Sequence, residues 1–296
     1  METDLRLEIK TIVSSAYDMQ KLRIQTGLRI VANFKVKLGQ EPGDDENELS
    51  PEATNLLASL RASYKRITDG LMKEDGKMKR MPTIFPADGL ITDYAHYALL
   101  RSYEMLLENE ETLFKDLAKV VKKHPMWDSF FDKVRGCGPA VAGVIISEVD
   151  ITKSKYPSSL WRLSGLDVGP DGRGRSKRKE HLIEREYQAA DGQIKTKMSI
   201  TYKPFLKTKL IAIFGRGLVM AGGHYRTVYD NYKHRITTDP KRSELTPAHI
   251  HAMSVRYVVK IFLKDMYYVW RDMMGLETYL TYHEGVQGHI HNSPSC

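Results

Sequence analysis

The chain has 296 residues, of which 42% are hydrophobic, and 45 Lys and Arg residues stand against 37 Asp and Glu residues. The length suffices for one large folded domain or two ordinary ones. The apolar runs fall short of the roughly 20 residues of a membrane span, the first ten residues lack the order of a signal peptide, and only two cysteines occur. We therefore expect a cytoplasmic protein with no membrane partner and no disulfide framework.

Positive charge is concentrated in one part of the chain. Between residues 153 and 209 there are 14 Lys and Arg residues against 6 Asp and Glu residues, a surplus of 8 that equals the net charge of +8 of the whole chain. Concentrated positive charge favours polyanionic partners, because binding releases their counterions. This distribution favours nucleic acid as a partner, and a solvated basic loop without a partner is the alternative.

Three long helices are expected in residues 1–123. Apolar residues recur at helical spacing over residues 4–38, 51–72 and 91–123. Pro51 follows a serine and precedes a glutamate, which is typical of a helix start. Such helices form either a coiled-coil arm or the core of a bundle, and we favour the bundle. We also expect these N-terminal helices to assemble the chain into a homo-oligomer.

Two short helices joined by a glycine-rich turn are expected next. Residues 125–134 fit one helix, residues 136–138 form a Gly-Cys-Gly turn that permits positive backbone angles, and Pro139 opens a helix to about residue 148. The pattern is typical of a helix-hairpin-helix motif, whose turn and helix N-terminus bind phosphate oxygens without reading sequence. An ordinary helical hairpin is the alternative. The predicted nucleic-acid contacts of this turn are Arg135, Gly136, Gly138 and Ala140.

A basic loop follows at residues 165–181, with the sequence GLDVGPDGRGRSKRKEH. It interleaves glycines with cations and carries no aromatic residue, so we expect it to be flexible alone and to order against a chain of negative charge. A solvated loop is the alternative. The predicted phosphate contacts in the loop and at the start of the following helix are Arg173, Arg175, Lys177, Arg178, Lys179, Lys203 and Lys207.

The remaining chain predicts one small sheet and a long final helix. Two extended arms flank Asp191-Gly192, a dipeptide that suits a type I′ hairpin turn. Helical periodicity resumes over residues 204–235, and Thr246-Pro247 opens a helix to about residue 274. On that last helix three cations share one face, which we interpret as the solvent side of an amphipathic helix. These cations are Arg256, Lys260 and Lys264.

No metal site or cofactor is predicted from the residues themselves. His249 and His251 are two apart, which puts them on different sides of a helix, and the remaining candidates lie in the tail at residues 289–296. The sequence also has no phosphate-binding glycine-rich lysine loop and no nucleophile elbow. We therefore expect no metal-dependent hydrolysis by this chain alone.

Residues from about 125 to 271 resemble the C-terminal domain of the insertion-sequence transposases of the one-hundred-and-ten group, the bridge-RNA-guided serine recombinases. The resemblance rests on residues 134–145, on SLWRLSGL at residues 159–166, on the basic loop, and on YKPFLKTKL at residues 202–210. Full-length members begin with an RNase H-like domain that bears an acidic metal site, whereas this chain begins with helices. The resemblance thus implies Mg²⁺ only where a partner supplies such a domain.

The resemblance also implies a serine nucleophile. The family's catalytic serine lies in a Ser-Gly pair shortly after the Gly-Leu, and the only serine of the loop here is Ser176, which lies later and between Arg175 and Lys177. Cations on both sides would stabilise an attacking alkoxide and the charge that develops on phosphorus. The alternative is a loop serine that only contacts phosphate.

The sequence therefore predicts a mainly α protein. Residues 1–123 form a helical bundle or coiled-coil arm, residues 124–275 a helix-hairpin-helix domain with one small β-hairpin, and residues 276–296 a C-terminal tail. The first functional hypothesis is a transposase-like protein of a mobile element that binds the backbone of DNA, or of structured RNA. The second is an active transposase or recombinase that uses Ser176. The third is a helical dimeric scaffold whose basic loop binds an acidic protein.

Overall fold

The computed structural model describes residues 2–37, 51–71, 82–86 and 89–281. This part of the chain is mainly helical and contains one two-stranded antiparallel sheet, which confirms the expected fold class. The chain divides into a smaller unit of residues 11–116 and a larger unit of residues 1–10 and 117–296. Residues 38–50, which separate the first two expected helices, and most of the expected tail lie outside the described residues.

The smaller unit contains α2 (Pro51–Asp69) and most of α1 (Glu2–Lys37) and α3 (Tyr94–Val121). The first residues of α1 and the last residues of α3 belong to the larger unit. The three helices share one buried core, as in a bundle, because each turns its apolar face inward. Glu110 of α3 is buried, and Gln20 and Arg23 of α1 both donate hydrogen bonds to it. The core is formed mainly by Ile30, Phe34, Leu57, Leu60, Tyr97 and Leu100.

The larger unit contains seven further α-helices and the sheet among its described residues. These elements are α4 (Pro125–Ser129), α5 (Pro139–Glu148), α6 (Pro157–Leu163), β1 (Ile183–Gln188), β2 (Ile194–Ser199), α7 (Pro204–Thr208), α8 (Arg216–Ala221), α9 (His224–Thr237) and α10 (Pro247–Met273). A π-helical segment, Lys209–Gly215, joins α7 to α8. Short 3₁₀ turns occupy Phe131–Lys133, Ile151–Lys153, Lys179–His181 and Pro240–Arg242.

Helix α10 forms the centre of this unit. Its Phe262 is fully buried, and its ring lies 5.4 Å from the ring of Phe130, 4.6 Å from that of Phe214 and 5.8 Å from that of Tyr225. Segments far apart in sequence therefore meet on one aromatic side chain. The helix starts where the sequence predicts, because the Thr246 side chain accepts a hydrogen bond from the backbone N–H of His249.

The sheet is a hairpin that joins β1 to β2 in antiparallel register. The turn between them differs from the expected type I′. A type I′ turn requires positive φ at both central residues. In this turn Gly192 has φ of +79°, but Asp191 does not have positive φ, since among the described residues only glycines do. Ala189 and Gln193 close a three-residue loop instead, and the Asp191 carboxylate accepts from the Gln193 amide. The Asp-Gly pair is compatible with both turns, so sequence could not separate them.

Candidate functional site

The basic loop folds back on itself. Val168 and Gly174 form an antiparallel bridge, the Gly169 amide donates to the Arg173 carbonyl at 2.7 Å, and the Arg175 amide donates to the Asp167 carbonyl at 3.0 Å. Near the tip, the Asp171 carboxylate accepts from the Arg173 amide. The loop is therefore a short folded ribbon that presents its cations in fixed positions.

Asp167 is the acidic residue at the base of this loop. Arg175 donates to its Oδ2 through Nε at 3.1 Å and through Nη2 at 2.7 Å, which raises the pKa of Arg175. The other oxygen, Oδ1, is buried and has no hydrogen-bond partner among the described residues. One carboxylate is thus already engaged by one guanidinium.

Three more cations surround that pair. Lys207 donates to the carbonyl of Arg175, and Arg256 donates to the carbonyl of Gly165 at 3.0 Å. Lys260 lies over the Trp161 ring at 5.3 Å. A Cβ at residue 174 would stand 1.9 Å from Nη1 of Arg256, so a larger residue there would require this guanidinium to move.

The four cations leave an excess of positive charge. Burial and the charge of Arg256 lower the pKa of Lys207 to about 8, and the same two causes lower the pKa of Lys260. Burial lowers the pKa of Arg256 as well, and Asp167 opposes the shift in all three. Burial is the largest cause in each case, and an anion bound beside these groups would stabilise their charged forms.

A cavity of about 780 Å³ opens beside this cluster. The loop, α9, the 3₁₀ turn at residues 240–242 and the start of α10 line it. Two acidic side chains, Asp167 and Glu244, line it as well, and two tyrosines at the wall, Tyr232 and Tyr257, stack with ring centroids 4.2 Å apart. The cations that line the cavity are Arg173, Arg178, Lys241, Arg242, Arg256 and Lys260.

The interpretation of the α10 cations as a solvent face is wrong. Lys264 is only 2% exposed, and Arg256 and Lys260 are partly buried where the loop and α6 cover the helix. Helical spacing places three residues on one face, but it does not reveal whether another element packs on that face. Lys241 and Arg242 were also missed, because the sequence gives no sign that their turn faces the loop.

The predicted loop contacts divide into three groups. Arg173 and Arg178 line the cavity, and Arg175 and Lys207 belong to the buried cluster. Lys177 and Lys179 are exposed. Lys203 instead binds the C-terminal end of α5, with its ammonium 2.7 Å from the Glu148 carboxylate and 2.9 Å from the Glu148 carbonyl.

The glycine-rich turn lies apart from the basic cavity, since none of its four predicted contacts lines that cavity. Gly136 has φ of +88°, and a Cβ there would stand 2.9 Å from the carbonyl oxygen of Gly217. Gly138 is extended and precedes α5, and a Cβ added there would meet no heavy atom within 4 Å.

Arg135 is exposed and borders a separate, largely apolar cavity of about 420 Å³. Burial raises the pKa of the Cys137 thiol to about 12, so Cys137 is a packed turn residue.

The Ser176 hydroxyl contacts His181, which in turn contacts Asp171. Neither partner was identified from the sequence. The Oγ of Ser176 lies 3.0 Å from Nδ1 of His181, and Nε2 of His181 lies 3.0 Å from Oδ1 of Asp171. The Ser176 amide donates to the same Nδ1, so the ring proton is on Nε2 and is donated to Asp171. Asp171 lies five residues before Ser176 and His181 five residues after it, a spacing that matches no motif used in the sequence analysis.

No group of three or more His, Cys, Asp or Glu side chains in the described ranges is placed to hold a metal ion. His249 and His251 have separate surroundings, as their spacing predicts, because His251 contacts the hydroxyl of Tyr229 while His249 lines the basic cavity. The Mg²⁺ that the resemblance implies would be held by residues of a partner domain, and we derive no step through it. No helix in the described ranges has the length and apolar character to cross a membrane.

Comparison with known proteins gives no relative for this chain: no family model, no curated protein and no solved structure matches it.

Proposed function

We propose that this protein binds the phosphate backbone of nucleic acid, with DNA as the partner, at the cavity beside the basic loop. The observation that carries the proposal is the cluster of Lys207, Arg256 and Lys260, whose pKa values are lowered around a single carboxylate that Arg175 already engages. Such a cluster is stabilised by phosphate oxygens.

The extent of the basic surface favours a polymer over a free anion. Exposed cations of the loop continue from the buried cluster to Arg178, and the turn at residues 240–242 adds Lys241 and Arg242 to the lining of the cavity. A row of separate cations suits a chain of phosphates, because each contact releases a counterion. Contacts of this type bind without reading sequence.

The resemblance to the transposase domain supports the same proposal and adds the mobile-element origin. In that interpretation the glycine-rich turn is a second backbone contact, made by the amides near Gly138 and Ala140 and by the Arg135 side chain. Gly138 leaves open space in front of the first turn of α5, where a phosphate would approach.

The test measures binding of a labelled DNA duplex and of a folded RNA over a range of salt concentrations. Replacing both Arg256→Gln and Lys260→Gln should weaken binding and reduce the slope of log affinity against log salt by about 2. The matched control replaces two exposed lysines just after α3, Lys122→Gln and Lys123→Gln, and should leave the slope unchanged. Equal affinity of the two double variants would contradict the proposal, and binding of acidic proteins alone would favour a scaffold. Tighter binding of the RNA would make RNA the partner.

A second candidate function is DNA strand transfer with Ser176 as the nucleophile. It is favoured by the Ser176–His181–Asp171 chain of contacts at 3.0 Å each. In this step Oγ attacks a phosphodiester phosphorus and its proton passes to Nδ1 of His181. The P–O bond to one sugar then breaks as His181 gives this proton to the leaving sugar oxygen. The products are a phosphoserine ester and a strand with a free hydroxyl. The charged Asp171, whose pKa the Arg173 amide and His181 lower, holds the ring.

Denaturing gels with end-labelled nicked DNA test this second function. The wild-type chain should form a covalent adduct, Ser176→Ala should abolish it while duplex binding persists, and Asp171→Asn should slow it. Lys122→Gln, which removes an exposed charge outside the loop, is the control. Intact DNA binding without any adduct would leave a binding protein and reject the enzyme.

A further inference from the structure

In the part of the chain that the structure describes, the β1–β2 hairpin is an exposed ribbon. Eleven of its twelve strand residues are exposed, and Ser199 is half-buried. A two-stranded hairpin without a packed face is only marginally stable in water. The hairpin begins at Ile183, five residues after Arg178 at the basic cavity. The hairpin therefore presents two exposed faces close in sequence to the basic cavity.

The two faces of the ribbon carry opposite charge. Residues that are directly opposite in the register share a face, and faces alternate along each strand. All three strand cations fall on one face, and both strand carboxylates fall on the other. The basic face holds Ile183, Arg185, Tyr187, Lys195, Lys197 and Ser199. The acidic face holds Glu184, Glu186, Gln188, Ile194, Thr196 and Met198.

Like charges meet on the basic face. Arg185 is paired directly with Lys197, and neither has an ion-pair partner in the part of the chain that the structure describes. Lys197 lies over the Tyr187 ring at 4.8 Å, and Lys195 pairs with Asp191 at 2.7 Å. Like charges directly opposite each other weaken strand pairing. An external anion on this face would remove that repulsion.

We propose that the basic face of the hairpin binds duplex DNA by lying in its major groove. The major groove of B-form DNA, about 12 Å wide, admits a two-stranded β-ribbon, whereas the major groove of an RNA helix is too deep and narrow. Six residues per strand span roughly 20 Å at about 3.3 Å each. In this orientation Glu184 and Glu186 point away from the DNA.

This proposal rests on the proposed function and adds a second contact surface to it. The first experiment replaces Arg185→Gln and Lys197→Gln together and measures duplex binding against salt. The slope of log affinity against log salt should fall by about 2 relative to wild type. The control pair, Lys122→Gln with Lys123→Gln, removes the same charge from a surface outside the hairpin and should leave the slope unchanged.

A second variant separates binding from folding. Lys197→Glu places a carboxylate opposite Arg185, which should strengthen strand pairing and leave thermal unfolding unchanged or later. It should nevertheless lower duplex affinity more than Lys197→Gln does. The opposite-face variant Glu184→Gln should not lower affinity.

Wild-type affinity in the hairpin variants, together with loss of affinity in Arg256→Gln/Lys260→Gln, would overturn the hairpin proposal alone. Undiminished affinity in both sets would overturn the proposed function as well. An equal loss of RNA-helix and DNA binding would contradict the major-groove contact.

Discussion

Lys207 is a residue whose charge the fold controls. Its ammonium donates to the Arg175 carbonyl, lies 4.6 Å from the Tyr202 ring centroid, and has a pKa lowered to about 8 by burial and by Arg256. An unfolded lysine titrates near 10.5. The unfolded chain therefore binds more protons between about pH 8 and 10.5, and this group makes the protein more stable as pH rises through that window.

Binding of nucleic acid should depend on pH in the opposite direction. A phosphate favours the charged form of Lys207, so we expect duplex affinity to fall as pH rises from about 7 to 9 and proton uptake to accompany binding near pH 8. Calorimetry in two buffers of different ionisation enthalpy measures that uptake. Lys207→Arg keeps its charge over this range and should lose most of the pH dependence.

The neighbouring groups set the control for this prediction. Lys260 also has a lowered pKa, while the guanidinium groups of Arg175 and Arg256 keep their charge in this range. In the Lys260→Arg variant, duplex affinity should therefore still depend on pH through the titration of Lys207. Identical pH profiles for wild type and Lys207→Arg would show that Lys207 does not contact the bound phosphate.

At the scale of elements, the turn between α4 and α5 offers a probe that separates packing from binding. Gly136→Ala forces a side chain into positive φ and against the Gly217 carbonyl, so it should lower the free energy of unfolding by at least about 1–2 kcal/mol. Gly138→Ala meets open space at an extended φ of −87°, so it should cost about 1 kcal/mol or less. Urea unfolding measures both.

Only the second variant then reports on the proposed phosphate contact. If the turn binds a backbone, the added methyl group of Gly138→Ala blocks its approach, and duplex affinity should fall although the fold is kept. Arg135→Gln should reduce the salt slope by about 1 in the same assay. Full affinity in Gly138→Ala would make the turn an ordinary helical connection.

Local sequence signals predicted the elements well. Prolines at the first helical position begin α2, α5 and α10 where expected, and apolar periodicity gave the three long helices to within a few residues. The π-helical segment and the turn of the hairpin were not predictable, because each differs from its common alternative only in backbone angles that the same residues also allow.

At the scale of the whole molecule, the cavity collects cations from three regions that are separate in sequence. The basic loop supplies Arg173 and Arg178, the turn before α10 supplies Lys241 and Arg242, and α10 supplies Arg256 and Lys260. The charge surplus of residues 153–209 therefore describes only part of the surface. The homo-oligomer through the N-terminal helices, and the domain boundaries after residues 123 and 275, stay predictions.

The sequence by itself determined the helical class, the starts of the main helices, the hairpin and the basic character of the loop. These depend on periodicity, capping and composition, which act between neighbouring residues. The tertiary structure decided which cations are buried together, that Lys203 is bound to Glu148, and that His181 and Asp171 stand behind Ser176. Burial, pKa and side-chain alignment depend on contacts between distant segments, and a single sequence does not state which segments meet.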